Sequence, residues 1–100
     1  MCLVLATCFA LSGDRNAARE AFQQATEYHE WLMERPNDKR TRTQYKRSVF
    51  LYQLVVDHDP TFGGSDDSIY AVAALYDEMA ERYDSDYYKR RAIYLSLIHI

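Results

Sequence analysis

The chain is poor in residues that break or staple a fold: three glycines, two prolines and two cysteines in 100 residues. So few breakers exclude a collagen-like, low-complexity or disordered polypeptide. Cys2 and Cys8 stand in one apolar stretch, which makes neither a disulfide framework nor a metal knuckle. Positive charge is also in deficit. Twelve Lys and Arg against fifteen Asp and Glu leave a net charge of −3, whereas a dedicated nucleic-acid binder carries a strongly basic footprint, so no nucleic acid is expected as partner. No apolar run approaches the roughly 20 residues of a membrane-spanning helix, so no membrane span is expected. A Gly-rich phosphate loop, an HExxH spacing and a Ser or Cys nucleophile beside a base are all missing. No cofactor and no catalytic residue are therefore expected.

What is present is 48% hydrophobic, 27% charged and rich in tyrosine, with nine. That is the composition of one folded domain, and a chain of this length buries roughly 65% of the surface that its unfolded form exposes. Met1 to Leu11 is apolar but lacks the basic start of a secretory signal, and it reads as a short buried helix over 2–11. Ser12-Gly13-Asp14 then makes a turn, with Asp14 as the next N-cap. Ala18, Ala21, Phe22, Ala25, Tyr28 and Leu32 recur at three and four residues, which predicts a helix from about 15 to 34 with Glu20, Glu27 and Glu34 off its apolar face. Pro36 ends it, because the residue before a proline is driven out of the helical region.

Thr41 and Gln44 match a capping box for a third helix that runs to about His58. The stretch Val49 to Val56 is rich in strand formers, yet it lies within a glycine-free segment of helical length and has no strand partner beside it. After Asp59-Pro60 and Gly63-Gly64 a fourth helix is expected from Ser65, with Asp66 and Asp67 where negative charge offsets the helix dipole. Ile69, Val72, Ala73, Tyr76, Met79, Ala80 and Tyr83 form the cleanest apolar face of the chain, and Asp84-Ser85 separates it from a last helix starting at Asp86. The expectation is an all-α fold of about five helices in an irregular antiparallel hairpin array.

Internal repetition supports that array. Ala18, Phe22 and Ala25 share their four-then-three spacing with Ser48, Tyr52 and Val55. A small residue where two helices approach, an aromatic one turn on and another small or branched residue beyond it is what close helix packing demands. On these residues, with Leu5, Ala6, Phe9 and Gly13 before them and Val72, Ala73, Tyr76 and Ala92 after, the chain resembles a tetratricopeptide-type (TPR-like) helical repeat. Phe9 and Tyr76 stand close to two repeats of about 34 residues apart. Pro36 and Asn37-Asp38 interrupt the first helix of a middle unit, so the superhelix is expected to be irregular.

A narrower resemblance covers roughly residues 17–94: an alanine-rich helix, a Pro or Asn break, Arg-Thr-Arg-Thr-Gln-Tyr, Leu-Tyr-Gln-Leu-Val-Val before Asp-Pro, and Ser-Asp-Asp-Ser-Ile-Tyr. It looks like the helical segment that precedes the catalytic domain in some bacterial N-acetylmuramoyl-L-alanine amidases. That resemblance implies a fragment of a cell-wall enzyme of the bacterial envelope or periplasm, with the zinc-dependent domain beyond it and none of its ligands on this chain. Leu95-Ser96-Leu97-Ile98-His99-Ile100 moreover reads as the translation of the transposon-end adapter CTG TCT CTT ATA CAC ATC, so the repeat region is expected over 1–94 and adapter read-through over 95–100.

His29, His58 and His99 fall on different helices or their ends, and His58 beside Asp57 and Asp59 reads as a solvated helix end before it reads as half a metal site. Tyr45, Tyr52, Tyr70, Tyr76 and Tyr94 coincide with helix-facing spacings and are expected in the core, with hydroxyls at its rim. The candidate interaction surface has two parts. Tyr83, Tyr87 and Tyr88 gather at a helix junction, and Lys39, Arg40, Arg42, Lys46 and Arg47 gather at a helix start, where the dipole disfavours them. Glu27, Glu30 and Glu34, near the end of the preceding helix, are the expected partners of the basic group across the turn. The first functional expectation is thus a non-catalytic repeat module that binds a protein segment or orients a neighbouring domain, and the second is a helical fragment of an amidase. Self-association is expected through an uncovered face made by Tyr76, Met79, Tyr83 and Ala92.

Overall fold

The computed structural model describes residues 14–99, with side chains as far as Leu97. Among them there are four α-helices and no strand: α1 (Arg15–Glu34), α2 (Arg42–His58), α3 (Gly63–Tyr83) and α4 (Asp86–His99), with one 3₁₀ turn, Asn37–Lys39, between α1 and α2. The fold is all-α. The helix expected over 2–11 lies outside the described residues, so four of the five expected helices are seen.

Local chemistry sets the boundaries. The Asp14 carboxylate accepts from Ala17 N at 3.0 Å, satisfying one of the free amides at the start of α1. The Asp14 amide in turn donates to His58 O at 2.7 Å, joining the start of α1 to the end of α2. At α2 both halves of the capping box form, Gln44 N to Thr41 Oγ1 at 3.2 Å and Thr41 N to Gln44 Oε1 at 3.1 Å. The α3 start corrects the sequence reading, since it lies at Gly63 and not Ser65. Gly63-Gly64 belongs to the helix, and the Phe62 ring lies against Gly64, where a Cβ would collide with it. The chain leaves α3 at Asp84, whose φ of 47° is left-handed and turns α4 back along α3.

Consecutive helices pack on one another, and α1 also reaches α3. Ala18, Ala25 and Leu32 from α1, Tyr45, Ser48, Val49, Tyr52 and Val55 from α2, Val72, Leu75, Tyr76 and Met79 from α3, and Tyr88 and Ala92 from α4 make the interior. The two repeated triplets therefore lie on consecutive helices that face each other, with Phe22 and Tyr52 rings 6.4 Å apart and Phe62 closing on Phe22 at 6.1 Å. Fully burying a side chain the size of Leu32 or Met79 contributes about 1.5–3 kcal/mol, and the fully buried alanines are what let α1 come close enough to obtain it.

Three expectations change. Tyr70 and Tyr94 are not core residues but 68% and 54% exposed. Tyr70 follows half-buried Ile69 and is rotated about 100° from it, away from the interior. The face of Tyr76, Met79 and Ala92 is not left uncovered, because α4 folds back tightly enough to bury all three, with Tyr83 half-buried beside them. No helix among the described residues is long and apolar enough to cross a membrane.

Candidate interaction surface

The basic group does not form one patch. Arg40 turns inward and donates to Met33 O at 2.8 Å, to Arg35 O at 3.2 Å and to Glu78 Oε1 at 3.2 Å. Two of these acceptors are carbonyls at the C-terminal end of α1, so the guanidinium sits where the helix dipole is negative. Its carboxylate partner is Glu78 on α3. Glu27, Glu30 and Glu34 stay exposed and pair with none of the basic group, which corrects the expected pairing. They lie on the solvent side of α1, while the connection after Pro36 carries Arg40 toward α3.

Arg42 and Arg47 are engaged differently. The Arg42 guanidinium lies 4.5 Å from the Tyr83 ring centre and 6.0 Å from that of Tyr88, and Arg47 lies 5.7 Å from Tyr28. Such contacts attract the cation to the negative face of the ring. Lys39 and Lys46 remain exposed, and no ion pair among the described residues holds them.

Glu78 is the centre of a polar network. It also accepts from the buried Tyr45 hydroxyl at 2.9 Å, and Arg82 lies over the Tyr45 ring at 5.2 Å while donating to Asn37 O at 2.9 Å. Further along the interface, His29 Nδ1 and Tyr52 OH are 2.8 Å apart. Burial holds the His29 imidazole below its ordinary pKa, against the opposing pull of Glu78 and Glu30. Burial, assisted by Glu30, pushes the Tyr52 hydroxyl up to about 12. Burial likewise raises Tyr83, whose hydroxyl has no hydrogen-bond partner among the described residues. These groups tie helices together; none combines an activated nucleophile with a base.

A cleft of about 260 Å³ opens between α2 and α4. Lys46, Val49 and Gln53 line one wall, Tyr87 and Tyr88 the other, and Tyr76 and Met79 of α3 form the floor. Tyr88 is held by its stack on Tyr76, with ring centres 5.9 Å apart, while Tyr87 meets its edge at 5.6 Å and stays exposed. Arg91 lies 5.8 Å from the Tyr76 ring, and exposed Phe50 continues the α2 wall on the same stripe as Lys46 and Gln53. Of the eight residues proposed from sequence, the structure brings Lys46, Tyr87 and Tyr88 to this cleft. Arg42 and Tyr83 stack on each other beside Tyr88, Arg40 is structural, and Lys39 and Arg47 are on the surface elsewhere. Val49, Gln53, Tyr76 and Met79 were not anticipated as lining. The spacing of Lys46, Val49 and Gln53 on one helix face was the available signal, hidden because Val49 also serves the core.

An apolar floor, an amide and an uncommitted ammonium suit a ligand that carries an apolar side chain beside a carboxylate. Among the described residues no three His, Cys, Asp or Glu groups gather to hold a metal ion. His58 is exposed, and buried Asp59 accepts from Thr61 Oγ1 at 2.6 Å and Thr61 N at 3.0 Å, bonds that lower its pKa. No protein-family model, curated protein or solved structure matches the chain.

Proposed function

We propose that the chain is a non-catalytic, TPR-like interaction module that holds an acidic, apolar-anchored segment of a partner protein, or of a neighbouring domain, between α2 and α4. The observation that carries the reading is the cleft itself. Two helices of the array leave a gap floored by a third, with Lys46 and Tyr87 at its rim and Met79 below. Helical arrays commonly use such inter-helix surfaces for extended ligands. Tyrosine supplies large contact area at low entropic cost, and a lysine without a partner supplies charge selectivity.

A random-peptide display selection on the full chain tests this directly. Selected peptides are expected to place Asp or Glu next to an apolar residue. Tyr87→Ala should weaken their binding at least about tenfold, as truncation of an anchoring aromatic does. Lys46→Glu should remove the preference for acidic residues. Failure to enrich any sequence, or binders indifferent to both substitutions, would refute the assignment.

A further inference from the structure

A second, larger groove lies along the other edge of α4, away from the cleft just described. It encloses about 600 Å³ between α3 and α4, where Tyr70, Ala73, Ala74 and Asp77 face Ile93 and Leu97. Ile93 is 52% exposed and Leu97 64% exposed, which leaves an apolar strip running along two packed helices.

The charges beside that strip are sorted by helix. Along α3, Asp66, Asp77 and Glu81 are exposed on the same side as Tyr70, being four, seven and eleven residues from it. Along α4 the exposed residues one turn before Ile93 are Lys89 and Arg90, both basic. The ion pairs among the described residues are Arg15 with Asp59 and Arg40 with Glu78, so none of the charges beside the groove is paired with another described residue. The acidic edge calls for an occupant with an apolar helical stripe preceded by a base.

Helix α4 is such an occupant. Asp66 and Tyr70 are spaced by four residues on α3, and Lys89 and Ile93, both before the stretch that reads as adapter, have the same spacing on α4. Because α3 and α4 are antiparallel neighbours, a twofold axis that sets two α4 helices antiparallel makes the α4 of a second copy run parallel to α3. In that register the base of one copy meets Asp66 of the other, and Ile93 meets Tyr70. We propose that this groove is a homodimer interface in which each copy lays α4 into the α3/α4 groove of the other, forming a closed four-helix arrangement with two Asp66–Lys89 contacts. A twofold interface closes at two copies, so it gives a dimer and not a filament. The inference does not rest on the peptide-binding reading, because it uses the opposite edge of α4.

Sedimentation velocity on the full chain over a graded concentration series is the test. A reversible dimer is expected, and Ile93→Asp should render it monomeric with an unchanged helical circular-dichroism melt, since Ile93 is half exposed. Asp66→Lys and Lys89→Glu should each raise the dimer dissociation constant on the order of tenfold, because both contacts of the dimer then oppose like charges. Mixing the two variants should restore a dimer of near wild-type affinity, since the mixed dimer has opposite charges at both contacts. A chain that stays monomeric throughout, a dimer that survives Ile93→Asp, or a mixture that associates no better than either variant alone would overturn the proposal.

Discussion

Glu78→Ala is the sharpest test of how the array is held together. One carboxylate oxygen accepts from Tyr45 OH at 2.9 Å and from Arg40 at 3.2 Å, so it joins α3 to α2 and to the connection after α1. Tyr45 is fully buried, and its hydroxyl would lose its acceptor, which costs about 1–3 kcal/mol. Arg40 keeps its two backbone carbonyls. With the side chains 15% and 35% exposed, the lost ion pair adds only about 0.5–1 kcal/mol. The total of about 1.5–4 kcal/mol should lower the melting temperature of a chain this size by about 7–20 °C. Glu78→Gln retains an acceptor and should cost less than half as much. Thermal denaturation followed by circular dichroism reads both. In a double-mutant cycle with Tyr45→Phe, the double variant should be less destabilised than the sum of the singles by about 1 kcal/mol or more. Additivity within about 0.5 kcal/mol, or a Glu78→Ala protein that melts within about 2 °C of wild type, would show that the network is not a structural tie.

Two further outcomes follow from single positions. Asp84 holds a left-handed φ at the negative end of α3, so Asp84→Gly should raise stability by about 0.5–1 kcal/mol and Asp84→Val lower it by about 1–2 kcal/mol, measured by chemical denaturation; loss of stability in the glycine variant would contradict the backbone reading. His29 has its pKa lowered by burial, so the unfolded chain binds a proton more readily than the folded one. Its contribution is complete above the unfolded value near 6.5 and is lost as pH falls from there through the lower folded value. Denaturation midpoints should therefore fall between about pH 7.5 and about pH 5, and His29→Gln should flatten that fall; an unchanged slope would place the proton elsewhere.

The helices were legible because their ends are written locally. Asp14, the Thr41–Gln44 box and the Asp84-Ser85 break each act within four residues, and the apolar spacing between them is long enough to be unambiguous. Where the reading failed, a long-range contact decided. Gly63-Gly64 reads as a turn, yet α3 starts at Gly63 directly after Phe62, whose ring is anchored on Phe22 of α1. The partner of Arg40 stands 38 residues away on α3, whereas glutamates on the neighbouring helix end look nearer in sequence. Tyr70 illustrates a finer limit, since one residue of phase separates a buried position from an exposed one and several apolar residues in a row conceal that phase. In the candidate cleft, Lys46, Tyr87 and Tyr88 were visible as unusual residues near helix ends. Its floor was not, because Tyr76 and Met79 look like any other core residues until α2 and α4 are seen to stand apart.

The abundance of tyrosine acquires its meaning only alongside the arginines. Five of them, Arg35, Arg42, Arg47, Arg82 and Arg91, lie on Trp31, Tyr83, Tyr28, Tyr45 and Tyr76 respectively, at 4.5–5.8 Å from the ring centres. A planar guanidinium stacks on a ring better than a strongly hydrated ammonium does, so these arginines are held against rings, whether half-buried (Arg35, Arg82, Arg91) or exposed (Arg42, Arg47), while Lys39, Lys46 and Lys89 stand exposed in solvent. Lys46 is thus free beside the α2/α4 cleft and Lys89 beside the α3/α4 groove. A chain with a net charge of −3 still presents isolated positive charge at each of its two apolar surfaces. A carboxylate-bearing partner at the first, and the Asp66 edge of a second copy at the second, are the complements that this division of labour between Arg and Lys selects.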